Sequence, residues 1–580
     1  MRPHRKPTAK FLMTFLSLIA MLLLAACGGS NGTPKTTGGK PVKAPDSQQV
    51  YRSPLSGSDI NTFDPGQATD LGSIASIDMV FTGLVQLNDQ LQVTPQLAHD
   101  YTVSADGLSW TFHLRSGLKF SDGTPLTSKD VAYSIDRALS PEISALNGVS
   151  LLYLGLIKGA DERVNGKIPT VIGTGIQTPD DNTVIINVTR RTAYFLQTLT
   201  YSTSYVVEKS VIDKWGLKWT DHLADNGGQG GDGPFKVAKY DHNTGITFAP
   251  NPNYYGAQPQ LKRVEFPFVK DENTNYLEYQ ANQLDNTSIP TANVRQAQAL
   301  TDQFHQVPQL WINYFGLNYL VKPLDNIKIR QALELAINKD VIVKSVWGGQ
   351  PTPTNHIIPK GMPGYDPGLT GPAGVAATRG DPVKAKALFN QGLQEEGLTL
   401  ATFPTLHFTF SNTSKDTANE ITTVIQMWQQ VLGITSIKPD PVDKNKLFQS
   451  ITNTTNNSSL QIWRVDWIAD YPDPQDWITL QFSKGASDNN INYGQNQSTD
   501  ATTQQSTQDQ MLQADAMLDQ GPRMQAYNQI EQQLVNDVAW LPMEQVNATY
   551  LLKPYVIGVV DNAQNLTPPD DWGKIYIAAH

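Results

Sequence analysis

The run Trp463-Arg464-Val465-Asp466-Trp467-Ile468-Ala469-Asp470-Tyr471-Pro472-Asp473-Pro474-Gln475-Asp476-Trp477 constrains the fold more than any other segment of the chain, because its two closely spaced prolines fix where regular structure stops. Residues from Leu460 to Ala469 alternate like a strand. Pro472 and Pro474 hold Tyr471 and Asp473 in extended geometry, which ends that strand and keeps a helix from starting before Pro474. Asp473 then reads as the N-cap of a short helix with Pro474 at its first position and Trp477, Ile478 and Leu480 turned inward. Asp470 is left without a structural task. With Trp467 three residues before it, it is a carboxylate beside an aromatic wall, which suits an ammonium group. The low local dielectric strengthens such a pair, and the ring face adds cation–π attraction.

At 580 residues the chain exceeds one hydrophobic core and should divide into two or three lobes. Its net charge of −10 and the lack of a basic tract beyond the N-terminus argue against nucleic acid as a partner. Arg2, Arg5, Lys6 and Lys10 precede an apolar run from Phe11 to Ala26, which is shorter than the ~20 residues a membrane span usually needs. The run ends in Leu24-Ala25-Ala26-Cys27, which resembles the bacterial lipobox, so residues 1–27 read as a lipoprotein signal peptide with Cys27 as the lipidation site. Cys27 is the only cysteine, which excludes an internal disulfide. Residues 28–47 are rich in Gly, Thr, Pro and Lys and read as a flexible tether.

Further along, a helix is expected over 72–81. Asp106-Gly107 marks a hairpin turn, after which Trp110, Phe112 and Leu114 alternate on one strand face. Thr127 reads as the cap of a helix with Val131, Ile135 and Leu139 at helical spacing. His99 and His113 read as hydrogen-bonded strand histidines rather than metal ligands. The glycines from Gly227 to Gly233 formally contain G-x-G-x-x-G, but they open a strand at Pro234-Phe235-Lys236-Val237 rather than a helix, which rules out a nucleotide loop. Single helices are expected over 325–347 and 511–536, others over 382–393 and 420–432, and strands over 312–318, 405–410 and 434–437. Strands crossed by helices indicate α/β lobes. No G-x-S-x-G, H-E-x-x-H or P-loop occurs.

Trp467-Ile468-Ala469-Asp470-Tyr471-Pro472-Asp473-Pro474 resembles the W-x-A-D-Y-x-[DE]-P motif of the extracytoplasmic oligopeptide-binding proteins, solute-binding protein family 5, whose peptide and nickel receptors serve ABC importers. Phe63-Asp64-Pro65, the block 97–131, the glycine-rich entry to Phe235, Asn251-Pro252-Asn253-Tyr254 and the closing segments 538–543 and 551–556 follow in family order. The resemblance implies a two-lobed α/β fold of the class II periplasmic-binding-protein type, with an extra third domain and lobes joined by hinge strands. The first lobe would comprise 48–70, 186–310 and 546–580, the extra domain 71–185, and the second lobe 311–545. Where some relatives pair a cysteine at the crossing with one in the acidic aromatic motif, this chain has Trp311 and Ile468, so apolar packing must replace the bond.

The resemblance further implies a receptor, not an enzyme, that holds an extended peptide between two closing lobes through its backbone. It would be a lipid-anchored monomer on the extracytoplasmic face of the membrane, delivering peptides to an ABC permease and needing no cofactor or metal. Asp470 would pair with the peptide's α-ammonium group, and Trp467 would wall the first side-chain pocket. Arg464 would either face a ligand carboxylate or pair with Asp466, two residues along the same strand face. Asp466 itself would narrow the cleft or add an anionic contact. Asn318, Tyr314, Asn492 and Tyr493 are weaker candidates for ligand contact. Relatives also bind nickel complexes, haem, oligosaccharides or opines. A rival from another class is a hydrolase using two of Asp466, Asp470, Asp473 and Asp476.

Overall fold

The computed structural model describes residues 36–37, 40–147 and 149–580. The expected signal peptide and lipidation site, Cys27, lie outside the described residues. The segment expected to be a free tether ends earlier than 47. Ala44 is buried, its amide donates to Ile577 O at 2.9 Å, and Val42 O accepts from Ala579 N at 2.7 Å, so this stretch is tied to the C-terminus.

The chain is mixed α/β and builds two lobes with an extra domain, as the acidic aromatic motif and its companions imply. The core of the first lobe gathers Tyr51 and Phe63, the helix Leu71–Val80, the strands Phe235–Asp241, Gly245–Pro250 and Arg263–Val269, and the C-terminal Trp572, Ile575 and Ile577. Asp70 caps that helix by accepting from Ser73 N. Since Ile77, Met79 and Val80 pack into the first-lobe core, the helix belongs there rather than to the insertion that was expected to start at 71.

The extra domain has a core drawn from Leu84 to Val206, into which Tyr471 of the second lobe also packs. It is built on an antiparallel sheet of Ala98–Val103, Ser109–Leu114, Thr183–Asn187 and Ile176–Asp180. Trp110, Phe112 and Leu114 point inward together, as their alternation requires. The helix Ser128–Ala138 covers them, held at its start by a capping box in which Thr127 and Asp130 satisfy each other's backbone donors. His99 and His113 both contact Asp100 on this sheet's exposed face, and their rings stack at 6.1 Å.

The second lobe is organised by two long antiparallel strands, Phe304–Leu317 and Leu541–Leu552, which pass through both lobes. Phe304 to Pro308 pair with Asn547 to Leu551 at the first-lobe end, and Ile312 to Phe315 pair with Leu541 to Gln545 at the second. Between them the register shifts. Pro308 has no N–H to give, and Leu310 leaves the ladder, donating to Ala563 O at 3.1 Å and accepting from Ala469 N at 2.9 Å. This interruption is where the pair can bend, because fewer backbone bonds resist it there.

The strand Ile462–Ile468 pairs antiparallel with Phe304–Leu317, and Leu406–Ser411 and Ile437–Val442 extend the sheet in parallel. Helices Ile327–Leu335, Pro382–Glu395 and Lys415–Leu432 cover one face, and Ala501–Asp515 and Gln520–Asp537 the other. Two helices expected to be continuous are broken. Asn338 takes an extended conformation and caps Lys339–Ser345 through Val341 N, which ends the preceding helix at Leu335. Asp519 likewise caps Gln520–Asp537 through Gly521 N, with Gly521 and Pro522 resisting helix propagation from the N-terminal side.

Candidate functional site

The strand carrying Trp463 and Trp467 stops at Ile468, and the helix Pro474–Trp477 begins with Asp473 as its cap, accepting from Gln475 N at 3.0 Å. Arg523 grips the same carboxylate with both terminal nitrogens, one at 2.7 Å, and both side chains are buried. The hinge-side turn between strand and helix is thereby fixed from two directions, and Asp470 sits on it.

Asp470 Oδ1 accepts from the Tyr153 hydroxyl at 3.0 Å, a contact from the extra domain to the second lobe. Tyr153 is stacked on Tyr201, with ring centroids 3.7 Å apart and planes 7° from parallel. Asp470 Oδ2 is buried and, among the described residues, has no hydrogen-bond partner. Burial raises the Asp470 carboxyl to about 6; the nearby Asp488 adds to the rise, and the bond from Tyr153 opposes it. An acid in this state gains most from a cation that restores its charge.

Asp470 lines a solvent-open cleft with a cavity volume of about 130 Å³. Leu71, Ile74, Asp78 and Tyr205 come from the first lobe and Leu310, Trp311, Ile468 and Ala469 from the hinge and second lobe. Trp311 and Ile468 are directly opposite each other in the ladder. Ile468 is exposed there, and both residues line the cleft.

Asp476 was not singled out from the sequence as a ligand-site residue, yet it orients the turn. Its Oδ2 accepts from Trp467 Nε1 and from Asp470 N, each at 3.2 Å. Burial and the charge of Asp470 push its carboxyl well above the usual range. Trp467, expected to wall a ligand pocket, is therefore turned toward Asp476 and the second-lobe core, and it does not line the cleft. Tyr153 was also missed, because nothing in the sequence links residues so far apart.

Arg464 does not pair with Asp466 and does not line the cleft. Its Nε donates to Glu420 Oε2 at 2.9 Å, and its Nη2 lies 3.7 Å from Glu544 Oε1, with the guanidinium 5.7 Å above the Trp347 ring. Asn313 donates to the same Glu544 oxygen at 3.0 Å. Asp466, opposite Asn313 in the ladder, is not the paired carboxylate and contributes only to the field around Arg464. Burial raises both Glu420 and Glu544, with the charge of Glu420 adding to the rise at Glu544 and Arg464 opposing it at both. Arg464→Met should destabilise the protein by about 3 kcal/mol. It strands two buried acids, although either can soften the loss by taking a proton. Urea unfolding at neutral pH checks this, and an unchanged midpoint would mean that the network carries no net stability.

Tyr314, Asn318, Asn492 and Tyr493 are all buried and none lines the cleft. Tyr314 stacks on Trp540 at 3.7 Å, and the Tyr493 hydroxyl donates to Asp537 at 2.7 Å. Asn318 donates to Asn457 O and Leu460 O, both at 2.8 Å, and Asn492 donates to Asn318 Oδ1 at 3.1 Å while holding Asn456 N. Asn492 adopts φ 63°, a left-handed conformation that asparagine tolerates. These residues anchor loops within the second lobe.

Comparison with known proteins places this architecture. The chain is 27% identical to the oligopeptide-binding protein OppA of Bacillus subtilis over 488 residues, covering 82% of this chain and 85% of that protein. It is 26% identical to the periplasmic oligopeptide-binding protein OppA of Escherichia coli over 552 residues, covering 94% and 96%. Among solved structures, the unliganded open form of the periplasmic murein tripeptide binding protein MppA superposes with a TM-score of 0.77 at 23% identity, covering 93% of this chain and 99% of that one. Haemophilus influenzae OppA in complex with RPPGFSPFR gives 0.66 at 22% identity, covering 92% and 99%. Residues 92–489, which include the interrupted strand pair's first member and the Asp470 turn, match the family described as bacterial extracellular solute-binding proteins, family 5 middle. The chain therefore belongs to the family 5 bacterial extracellular solute-binding proteins.

Proposed function

We propose that this protein is the extracytoplasmic receptor of an ABC importer, capturing peptides between its lobes by their free N-terminus. One observation carries this reading: Asp470 presents a buried carboxylate oxygen that has no hydrogen-bond partner among the described residues, at a cleft walled by both lobes. A peptide α-ammonium is the matching group, since it is charged near neutral pH and donates up to three hydrogen bonds. The names of the relatives, which are oligopeptide-binding proteins, support the same ligand class. The two strands with a broken ladder supply a hinge, so ligand binding would favour the closed form to the extent that it contacts both lobes.

Native mass spectrometry of protein purified without denaturation should reveal small bound peptides. Any peptide so identified should bind at least about tenfold more weakly once N-acetylated, because acetylation removes the cation that Asp470 holds. Equal affinity of free and acetylated forms would overturn the reading.

Cys27 would carry the lipid that keeps the receptor at the outer face of the membrane. A single acyl chain binds only marginally, whereas the two or three chains of a bacterial lipoprotein anchor stably. Cys27→Ser should move the protein to the soluble fraction or leave it unprocessed, as fractionation and intact mass will report. Among the described residues no helix is long and apolar enough to cross a membrane, so mature Cys27→Ser protein still in the membrane would point to an anchor elsewhere.

A further inference from the structure

A second carboxylate, Asp78, lines the same cleft as Asp470, contributed by the first lobe. It lies in the last turn of the first-lobe helix Leu71–Val80 and is 8% exposed. The Tyr205 hydroxyl, also on the cleft wall, is its hydrogen-bond donor, and burial lifts its carboxyl to about 7. Its position compounds the cost of a negative charge, because a helix C-terminus is the negative end of the axial dipole and favours cations.

Among the described residues, no Lys, Arg or His lines the cleft, and neither Asp78 nor Asp470 takes part in an ion pair with the protein's own cations. Tyr201, on the same wall, lies within electrostatic reach of both. Its hydroxyl is raised to about 12 mainly by burial, and the charges of Asp470 and Asp78 add to the rise. The remaining walls include Leu71, Ile74, Leu310, Trp311 and Ile468, which suit a methylene chain. A cleft with one unpaired acid on each lobe and apolar sides is matched by a ligand with two cationic groups joined by an apolar stem.

We propose that Asp78 is a specificity determinant that pairs with the side-chain cation of the ligand's first residue, so that the receptor selects peptides beginning with lysine or arginine. This rests on the peptide reading, in which Asp470 holds the α-ammonium. An N-terminal lysine offers the second ammonium and a four-carbon stem. An apolar first residue leaves Asp78 buried against a neutral surface. Discrimination of this kind arises from desolvated charges that find or lack a partner, and it exceeds what stem length alone supplies.

The test is calorimetry of Lys-Ala-Ala and norleucine-Ala-Ala, each with a free and an acetylated N-terminus, against the wild type and Asp78→Asn. The wild type should bind free Lys-Ala-Ala at least about tenfold more tightly than free norleucine-Ala-Ala. In Asp78→Asn, which still offers an oxygen to Tyr205, that ratio should fall to about one. Equal affinity for the two free peptides in the wild type overturns the proposal without any need for the variant to fold. A lysine preference that persists in Asp78→Asn overturns it as well. If free forms bind better than acetylated ones but lysine and norleucine do not differ, only the role of Asp78 falls. If acetylation has no effect, or no peptide binds, the peptide reading falls and takes this inference with it.

Discussion

Asp470→Ala should weaken the binding of a peptide with a free N-terminus by about two to three orders of magnitude while leaving the fold intact. Removing one partner of a desolvated pair strands the other, here the ligand's ammonium, at a cost of about 3–5 kcal/mol. Each ~1.4 kcal/mol is tenfold in affinity. The turn should survive, because Asp473 still caps the helix Pro474–Trp477 and remains gripped by Arg523. N-acetylated peptide should lose a comparable amount against the wild type and little more against the variant. Calorimetry of both peptide forms on both proteins closes this cycle, and equal affinity of wild type and variant for the free form would remove Asp470 from the site.

The same residue sets a pH dependence. In the free receptor the Asp470 carboxyl titrates near 6, in a setting that includes Tyr153, Tyr201, Tyr471, Asp476 and Asp488. Ammonium binding requires the carboxylate, so below that pH the ligand must displace a proton and affinity should fall as pH drops, by up to tenfold per unit. For a peptide whose first side chain is apolar, and so does not engage Asp78, affinity above about 7 should level off until the ligand's own ammonium begins to deprotonate at ~8. Asp470→Ala should flatten the acid limb, and a variant that kept the limb would assign it to another group.

Arg523→Met should destabilise the second lobe by about 3–5 kcal/mol. Arg523 is fully buried, grips Asp473 through both terminal nitrogens and lies 5.0 Å above the Tyr527 ring. Methionine fills much of the volume but leaves Asp473 buried without its counterion, which is the costly way to break such a pair. Replacing both partners is different. Asp473→Asn combined with Arg523→Met keeps a good N-cap and strands no charge, so the double variant should recover a large part of the loss. Urea unfolding monitored by tryptophan fluorescence reports on Trp463 and Trp477, which are buried nearby. A double variant no more stable than Arg523→Met alone would show that lost packing, rather than an unpaired charge, explains the effect.

Arg464 illustrates why the site was only partly legible. On its strand, a residue two positions away shares the same face, which made Asp466 a natural partner from sequence. The carboxylates that claim the guanidinium, Glu420 and Glu544, come from a helix and a hinge strand tens of residues away in each direction. The same holds for Asp470 and Tyr153, which are separated by 317 positions. Trp467 was assigned to the ligand on proximity along the chain, whereas the indole N–H follows the buried acceptor of Asp476.

The sequence by itself determined what depends on local backbone chemistry. The end of the strand at Ile468 ahead of Pro472, the Asp473 cap with Pro474 behind it, the Thr127 capping box, the Trp110–Phe112–Leu114 alternation and the strand opening at Phe235 all agree with what proline geometry, orphan N–H groups and the two-residue pleat require. Only the tertiary structure decided which polar groups satisfy one another, where the helices expected over 325–347 and 511–536 break, and which carboxylates meet at the cleft. Those outcomes follow from burial: a buried charge or donor must find a partner, and the available partners are set by which surfaces the fold brings together, not by distance along the chain. Asp470 and Asp78 lie 392 positions apart in sequence and face one cavity only because the two lobes fold against each other across the hinge.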